Sequence, residues 1–315
     1  MVCTLRRAGH HVVVVDDLSG GHREAVPADV PFVRADVADS AKVTAALREH
    51  RIGAVLHFAS KIQVGESVVA PRLYYTGNLA ASIALLESAL EAGVQHFILS
   101  STAAVYGAPT SIPIEEDHPA NPVNPYGETK LATERMLAAY SRAYGLRYAA
   151  LRYFNAAGAD PDAPELGERH SPETHLIPII LEAALGVRPH VTVFGADYPT
   201  PDGTCLRDYV HVLDLCDAHL AALEYLAGGG ESSAFNLGTG RGQSVKEVVE
   251  TAQRVSGRPV PVVYGPRRAG DPPALVASCA RAERVLGWRA RRSSIDQIVA
   301  NAWAFHSRTQ GPARG

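Results

Sequence analysis

Tyr126 and Lys130 stand four residues apart just after Pro125, a residue that suits the first turn of a helix. On a helix that spacing puts the phenol and the ammonium on one face, one turn apart. A free tyrosine, with a pKa of about 10, is too weakly acidic to act as a base near neutrality. A fixed ammonium beside it stabilises the phenolate and lowers that pKa. The chemistry such a pair could run is removal of a hydroxyl proton while a hydride leaves the same carbon. Tyr–Lys pairs also occur by chance on exposed helix faces, so the weight comes from their company. The strand-like run His96–Ser100 leads into Ser101 and Thr102. A hydroxyl at the carboxyl end of a parallel strand points into the ligand crevice, so Thr102 could bond a substrate hydroxyl and share its proton with Tyr126. The competing reading is a Ser/Thr-rich strand end that makes local turn bonds.

The elements that must position these groups alternate between apolar runs and helical periodicity, the pattern of a parallel sheet with crossover helices. Candidate strands are His11–Asp16, Pro31–Ala35, Ala54–Phe58, His96–Ser100 and Arg147–Tyr153, each apolar as if covered on both faces. Ala41–His50 and Asn78–Ala92 read as helices, the latter with Leu79, Ile83, Leu86 and Leu90 along one face. A longer helix runs from Pro125 to Tyr144 and stops at Gly145. Asp16, ending a strand, could receive ribose hydroxyls in a dinucleotide-binding fold, and its charge would repel a 2′-phosphate, favouring NAD over NADP. A turn aspartate is the rival. Asp36 would suit an adenine-contacting loop, with a helix N-cap as its rival.

Beyond about Gly158 shorter elements alternate with the loops Asp160–Pro172, Tyr198–Gly203 and Gly228–Gly230. This predicts two lobes, a dinucleotide-binding lobe over residues 1–157 and a smaller α/β lobe over 158–315. The tail from Ser307 to Gly315 is polar and expected to fray. With 315 residues, 46% apolar and 20% charged residues and a formal charge of −3, the chain is globular and carries no basic field for nucleic acid or anionic membrane. Cys3, Cys205, Cys216 and Cys279 show neither disulfide-like nor metal-ligand spacing. They read as reduced thiols in a cytoplasm, and no metal is expected. The four-valine run Val12–Val15 is too short for a signal peptide or membrane span.

Several segments occur together in order: His57-Phe58-Ala59, Val64-Gly65-Glu66-Ser67, Tyr74-Tyr75-x-x-Asn78, Ser100 through Gly107, and Pro125-Tyr126-Gly127-x-x-Lys130. Leu151-Arg152-Tyr153-Phe154-Asn155-x-x-Gly158, Asp202-Gly203-Thr204, Arg207-Asp208-Tyr209-x-His211-Val212, Phe235-Asn236-Leu237-Gly238 and Gly270-Asp271-Pro272 follow. The set resembles the UDP-glucose 4-epimerases of the extended short-chain dehydrogenase/reductase superfamily, from about Gly9 to Trp303. The resemblance implies a Rossmann-like, doubly wound parallel sheet and interconversion of UDP-glucose and UDP-galactose through a transient 4-keto sugar and NADH. It implies Tyr126, Lys130 and Thr102 as catalytic residues. NAD would be held by Asp16, Asp36, Val37, Phe58, Ala59, Asn78, Tyr126, Lys130 and Tyr153. The sugar nucleotide would meet Thr102, Asn155, His175, Leu176, Val193 and Phe194, with Arg207 and Arg268 on the diphosphate, Asp271 on the uridine side and Leu275 gating sugar size. A homodimer through the helices Asn78–Ala92 and Tyr126–Tyr144 is implied as well.

The sequence departs from the family pattern in three places. A cofactor-contacting lysine of many members falls at Ile62, with Lys61 one position early, so neither is assigned. Leu275 is neither the bulky tyrosine of strict glucose/galactose use nor the small residue associated with N-acetylated sugars. The family's first strand and glycine-rich turn, which hold the pyrophosphate at a helix N-terminus, have no counterpart here. Met1–Ala8 reads as part of the following helix, so a misplaced start or a truncation is expected, and the strands flanking the missing one would lack a partner. A sugar-nucleotide 4,6-dehydratase, which needs an Asp-Glu pair after the Thr102 position, is argued against by Ala103 and Ala104. Epimerisation of UDP-N-acetylglucosamine or UDP-pentoses stays open, as does a non-catalytic sugar-nucleotide-binding protein.

Overall fold

The computed structural model describes residues 1–163, 165–268 and 271–309. The chain begins with α1 (Val2–Arg7) and continues through β1 (Val14–Asp16), β2 (Phe32–Arg34), α2 (Ser40–Glu49) and β3 (Ala54–His57). Two short helices, α3 (Val64–Val69) and α4 (Pro71–Tyr74), lead through a π-helical turn at Tyr75–Ala80 into α5 (Ala81–Glu91). Next come β4 (His96–Thr102), α6 (Pro125–Tyr144) and β5 (Arg147–Tyr153). The second half holds β6 (Asn155–Ala157), α7 (Leu176–Leu185), β7 (Val191–Phe194), β8 (Leu206–Arg207), β9 (Tyr209–His211) and α8 (Val212–Ala227). It closes with β10 (Ser233–Leu237), β11 (Gln243–Ser244), α9 (Val245–Ser256), β12 (Val262–Gly265), β13 (Ala274–Leu275), α10 (Ala280–Leu286) and α11 (Ile295–Thr309).

The central sheet has the order β10-β5-β4-β3, all parallel. Its inner strands are apolar because both faces are covered. Phe97 and Leu99 pack with Val43, Leu85, Leu86 and Leu137 from α2, α5 and α6. Ile98 points the other way, into a cluster with Ala218, Ala222 and Leu226 of α8 and Leu5 of α1. Helices on both faces make the sheet doubly wound. In the second half α7, α9 and α11 bury Ile180, Val248 and Ile298 around β7, which pairs with β12. The outer strand β10 returns from this half to join β5.

Strands β1, β2 and β3 fall short of their expected lengths. Strand β1 starts at Val14, not His11, and pairs only with β2. No bridge joins β1 to β3 among the described residues, so each presents an unpaired edge, as the sequence led us to expect. Strand β4 instead runs on to Thr102, two residues further than its apolar run. The helix expected over Asn78–Ala92 enters through the π-turn, whose extra residue shifts the phase of the buried stripe. Ile83 is therefore 41% exposed, while Leu85, Leu86 and Ala89 are buried. Ser82 and Ser88 take inward positions because their hydroxyls bond back to Asn78 O and Ala84 O, at 2.6 and 2.9 Å. Ser307–Thr309 complete α11 instead of fraying; residues 310–315 lie outside the described residues. No helix among the described residues is long and apolar enough to cross a membrane.

Candidate functional site

Helix α6 places the chemistry. Asn124 caps it, its side chain accepting from Gly127 N at 2.9 Å, and Pro125 opens the first turn, so Tyr126 leaves the helix at its N-terminus. Gly127 lets this turn press on the segment after β4: a Cβ there would stand 2.6 Å from Ala104 O. Thr102 ends β4 and caps the 3-10 turn Ala103–Tyr106, accepting from Ala104 N at 3.2 Å. Its hydroxyl also lies close enough to the phenol of Tyr126 to favour the phenolate. Thr102 and Tyr126 are thus neighbours at the carboxyl end of β4.

Lys130 is buried, one turn below Tyr126, and its ammonium donates to Ser60 Oγ at 2.7 Å and to Ser100 O at 2.8 Å. Burial pulls its pKa down to about 7, and the Glu134 carboxylate works against that pull. The expectation that Lys130 lowers the Tyr126 pKa is corrected here. Burial holds the phenol above its ordinary range, with the Thr102 bond opposing, because the ammonium is directed at Ser60 and Ser100. Tyr74 packs edge-on behind Tyr126 at 6.4 Å between ring centroids, its hydroxyl 2.6 Å from Gln63 O.

A buried network anchors the three elements that carry these residues. Glu134 accepts from Arg152 at 2.6 and 3.1 Å and from Ser101 Oγ. Arg152 also donates to the Tyr106 hydroxyl at 2.8 Å, and Tyr106 donates to Asn236 Oδ1 at 2.6 Å. Ser101 adjoins Thr102, Arg152 adjoins Tyr153, and Glu134 lies one turn beyond Lys130. Ser60 and Glu134 are not singled out by the sequence, although positions 126, 130 and 134 share one helix face and Ser60 directly follows His57-Phe58-Ala59.

The residues expected to hold a dinucleotide lie at carboxyl ends of the parallel strands. Asp16 closes β1, its Oδ1 accepting from Leu18 N at 2.7 Å. Gly21 keeps its carboxylate open, since a Cβ there would sit 2.8 Å from Asp16 Oδ2. Asp36 follows β2 and accepts from Ala38 N at 2.8 Å; the N-cap of α2 is Asp39, so that rival reading of Asp36 does not hold. Val37 beside it is half-buried, packed under α2 and α5. Phe58 and Ala59 follow β3, and Phe58 is 44% exposed with its ring 4.8 Å from that of His219. Tyr153 ends β5 with its hydroxyl 2.6 Å from His219 Nε2. Asn78 is buried and clasps Lys61 through its backbone N and O at 2.8 and 3.0 Å, so it shapes this loop. A carboxylate kept clear by glycine, an uncovered aromatic ring and a buried ammonium along one strand-end edge fit a dinucleotide.

The residues expected on the sugar-nucleotide side gather on the second half's strands. Arg207 and Asp271 form an ion pair. Leu275 pairs with Arg207 across β13 and β8 and packs on the Ala103–Leu131 cluster, which links these strands to the Thr102 turn. Asn155 opens β6 and donates its N–H to Asp208 O at 2.9 Å. Buried Asp208 ties the strands together, accepting from Thr239, Gly240 and Ala277. The Arg268 guanidinium lies 4.1 Å over the Phe194 ring. Val193 is buried, so only its main chain is available to a ligand. His175 and Leu176 sit at the start of α7. Of the Gly270-Asp271-Pro272 segment, Gly270 lies outside the described residues. A cleft of about 450 Å³ lined by Arg7, Asp160, Asp217 and Arg292 contains none of the site residues expected from sequence.

A family model described as the NAD dependent epimerase/dehydratase family matches residues 1–238. The UDP-glucose 4-epimerase of Halalkalibacterium halodurans is 49% identical over 305 residues, covering 97% of this chain and 91% of that protein. The crystal structure of the Brucella ovis UDP-glucose 4-epimerase in complex with NAD superposes with a TM-score of 0.93 at 48% identity, covering 95% of this chain and 93% of that one. A Stenotrophomonas maltophila UDP-glucose-4-epimerase with bound NAD and formylated UDP-arabinopyranose gives a TM-score of 0.94 at 39% identity, covering 97% and 93%.

Proposed function

This chain belongs to the NAD dependent epimerase/dehydratase family, and from that premise we propose that it interconverts UDP-glucose and UDP-galactose by NAD-dependent epimerisation at C4 of the sugar. The observation that carries the proposal is the convergence of Thr102, Tyr126 and Lys130 at the carboxyl end of β4. The chemistry NAD supplies when bound is reversible hydride exchange at that carbon. Tyr126 takes the proton of the 4-hydroxyl as general base, and Thr102 orients that hydroxyl and shares the proton. Lys130, buried one turn below Tyr126, would hold the nicotinamide ribose. Asp16, Asp36, Val37, Phe58, Ala59, Asn78 and Tyr153 complete the cofactor side.

Arg207 and Arg268 suit a diphosphate through their planar forks. Arg207 now engages Asp271, a carboxylate that stands in for the anion it would bind. Asn155, His175, Leu176, Val193 and Phe194 line the rest of the path, and Leu275 borders the sugar. We assign residues 1–157 to cofactor binding and 158–315 to sugar-nucleotide binding, with β10 and α8 returning to the first lobe's sheet. A homodimer, and a cytoplasmic location where the four unpaired cysteines stay reduced, complete the proposal.

A second sugar class is favoured by one observation. The open size of Leu275, with a relative that holds a formylated UDP-pentose, supports activity on UDP-pentoses beside UDP-glucose. A coupled assay over UDP-glucose, UDP-N-acetylglucosamine and UDP-xylose with added NAD tests both. Conversion of UDP-glucose is expected, and absence of any epimer from all three would overturn the assignment.

A further inference from the structure

Glu168, His170, Glu173 and His175 fall within eight residues of the loop that leads into α7. Their four ligand-capable atoms, two imidazole nitrogens and two carboxylate oxygens, all lie within 4.8 Å of one another. Both histidines turn Nδ1 toward the same oxygen, Glu168 Oε1: His175 at 3.3 Å, and His170 in direct contact. Glu173 Oε1 stands 3.0 Å from His175 Nδ1. We propose that these four side chains form a binding site for a divalent transition-metal ion of the zinc class.

The donor set and its convergence on one point of the loop carry the assignment. Zinc takes nitrogen and oxygen ligands at about 2.0–2.2 Å in a tetrahedron, which sets neighbouring ligand atoms about 3.4 Å apart. Two imidazoles with two carboxylates suit zinc and its neighbours in the first transition row. Calcium and magnesium prefer six or more oxygens. The groups are sheltered and partly pre-set. The Glu173 side chain is 5% exposed, and its Oε1 also accepts the backbone N–H groups of Thr174 and His175, each at 2.7 Å. His170 lies on the exposed side, where an ion could enter. A dication at the centre would neutralise both carboxylates at once. Without one, the same packing needs positive charge from the imidazoles themselves.

The site would pin a loop that spans the two halves of the molecule. Arg169, inside the cluster, reaches Glu24 in the turn after β1 at 3.1 Å. Gly167 packs so closely on the Phe305 ring of α11 that a Cβ would stand 2.4 Å from it. At its other end the loop becomes the first turn of α7. The expectation of no metal came from the cysteine spacing alone, and the histidine and glutamate pattern is independent of it.

The test uses the full chain, stripped with chelator and titrated calorimetrically with Zn²⁺ alone. One saturable equivalent per chain is expected, with micromolar or tighter affinity. Glu168→Gln and His170→Ala, neither of which lies on the proposed sugar-nucleotide path, should each weaken it by about tenfold or more. Zn²⁺ should also raise the melting temperature of the parent but not of His170→Ala. His170 is exposed, so that variant decides the question even where Glu168→Gln fails to fold. Co²⁺ should give the visible bands of a nitrogen/oxygen tetrahedron. The proposal is overturned by absence of saturable binding, by parent-like affinity in His170→Ala, or by a sulfur-to-cobalt charge-transfer band, which would put the ion on a cysteine.

Discussion

In the proposed reaction the phenol of Tyr126 gives up and regains a proton, yet burial alone would keep it protonated. The neighbouring Thr102 hydroxyl opposes that burial, while the Lys130 ammonium is directed at Ser60 and Ser100. Tyr126→Phe is expected to lower kcat by a factor of about 10²–10⁴ or more, the range of general acid–base catalysis, while calorimetric UDP-sugar binding stays near the parent's. Retained turnover would refute the base assignment. Glu134 acts one step further back. Its carboxylate is what keeps Lys130 charged against burial, so Glu134→Gln lowers the Lys130 pKa below its present value of about 7. The ammonium then loses its proton at lower pH, and the alkaline limb of the kcat/KM profile should move to lower pH. The same variant unpairs buried Arg152 and should cost about 3 kcal/mol of stability, visible in denaturant unfolding. An unchanged profile with lowered stability would leave Glu134 a purely structural residue. Tyr126, Lys130 and Thr102 were legible because each combines a reactive type with a strand-end or helix-turn position. Ser60 and Glu134 were not singled out, since a serine after an apolar run and a glutamate in a charged helix acquire meaning only when the partner 70 or 18 residues away in sequence is brought to them.

The sheet and its helices were legible from periodicity wherever burial dominates, as in β5, which matches its expected span Arg147–Tyr153. They were misjudged where hydrogen bonding overrides hydrophobicity. Strand β4 carries its ladder through Ser100, Ser101 and Thr102 because β5 continues beside it to Tyr153, and the π-turn before α5 moves the buried stripe off Ile83. The pressing of α6 on the Thr102 turn is a tertiary contact that no periodicity encodes, and Gly127 makes it. In Gly127→Ala, helix propensity favours the variant by about 1 kcal/mol. The new Cβ, however, cannot share space with Ala104 O, so the helix must shift and carry Tyr126 away from Thr102. The expectation is a melting temperature changed little and a kcat reduced about 100-fold, the scale of an ångström's misplacement. The sheet's split predicts a second element-level effect. Among the described residues no bridge joins two-stranded β1–β2 to β3, and short isolated pairs are marginal. By hydrogen–deuterium exchange, peptides covering Val14–Asp16 and Phe32–Arg34 should exchange well before those covering β4 and β5; equal protection would mean that the two pieces unfold as one unit.

At the scale of the molecule, α5 and the adjoining α6 each carry exposed apolar side chains. Ile83 on α5 is 41% exposed and Tyr144 on α6 is 64% exposed, with Leu73 of α4 at 42%. Exposed apolar residues on helices that pack side by side mark a surface to be covered, and the proposed homodimer covers it with the same helices of a second copy. A two-fold contact repeats each residue against its partner's surface, so one charge introduced there acts twice. Ile83→Glu should therefore convert a sedimenting dimer to a monomer at micromolar concentration. The single-chain fold should survive, because Ile83 contributes little to its own core, where Leu85, Leu86 and Ala89 face inward. Epimerase turnover per chain then separates two architectures. The π-turn between α4 and α5 holds Asn78, which clasps the Lys61 backbone, so a dimer that braces this turn should lose kcat on dissociation. Unchanged turnover in a monomeric Ile83→Glu would mean that each chain's own packing holds the site, and a parent chain that already sediments as a monomer would remove the dimer altogether.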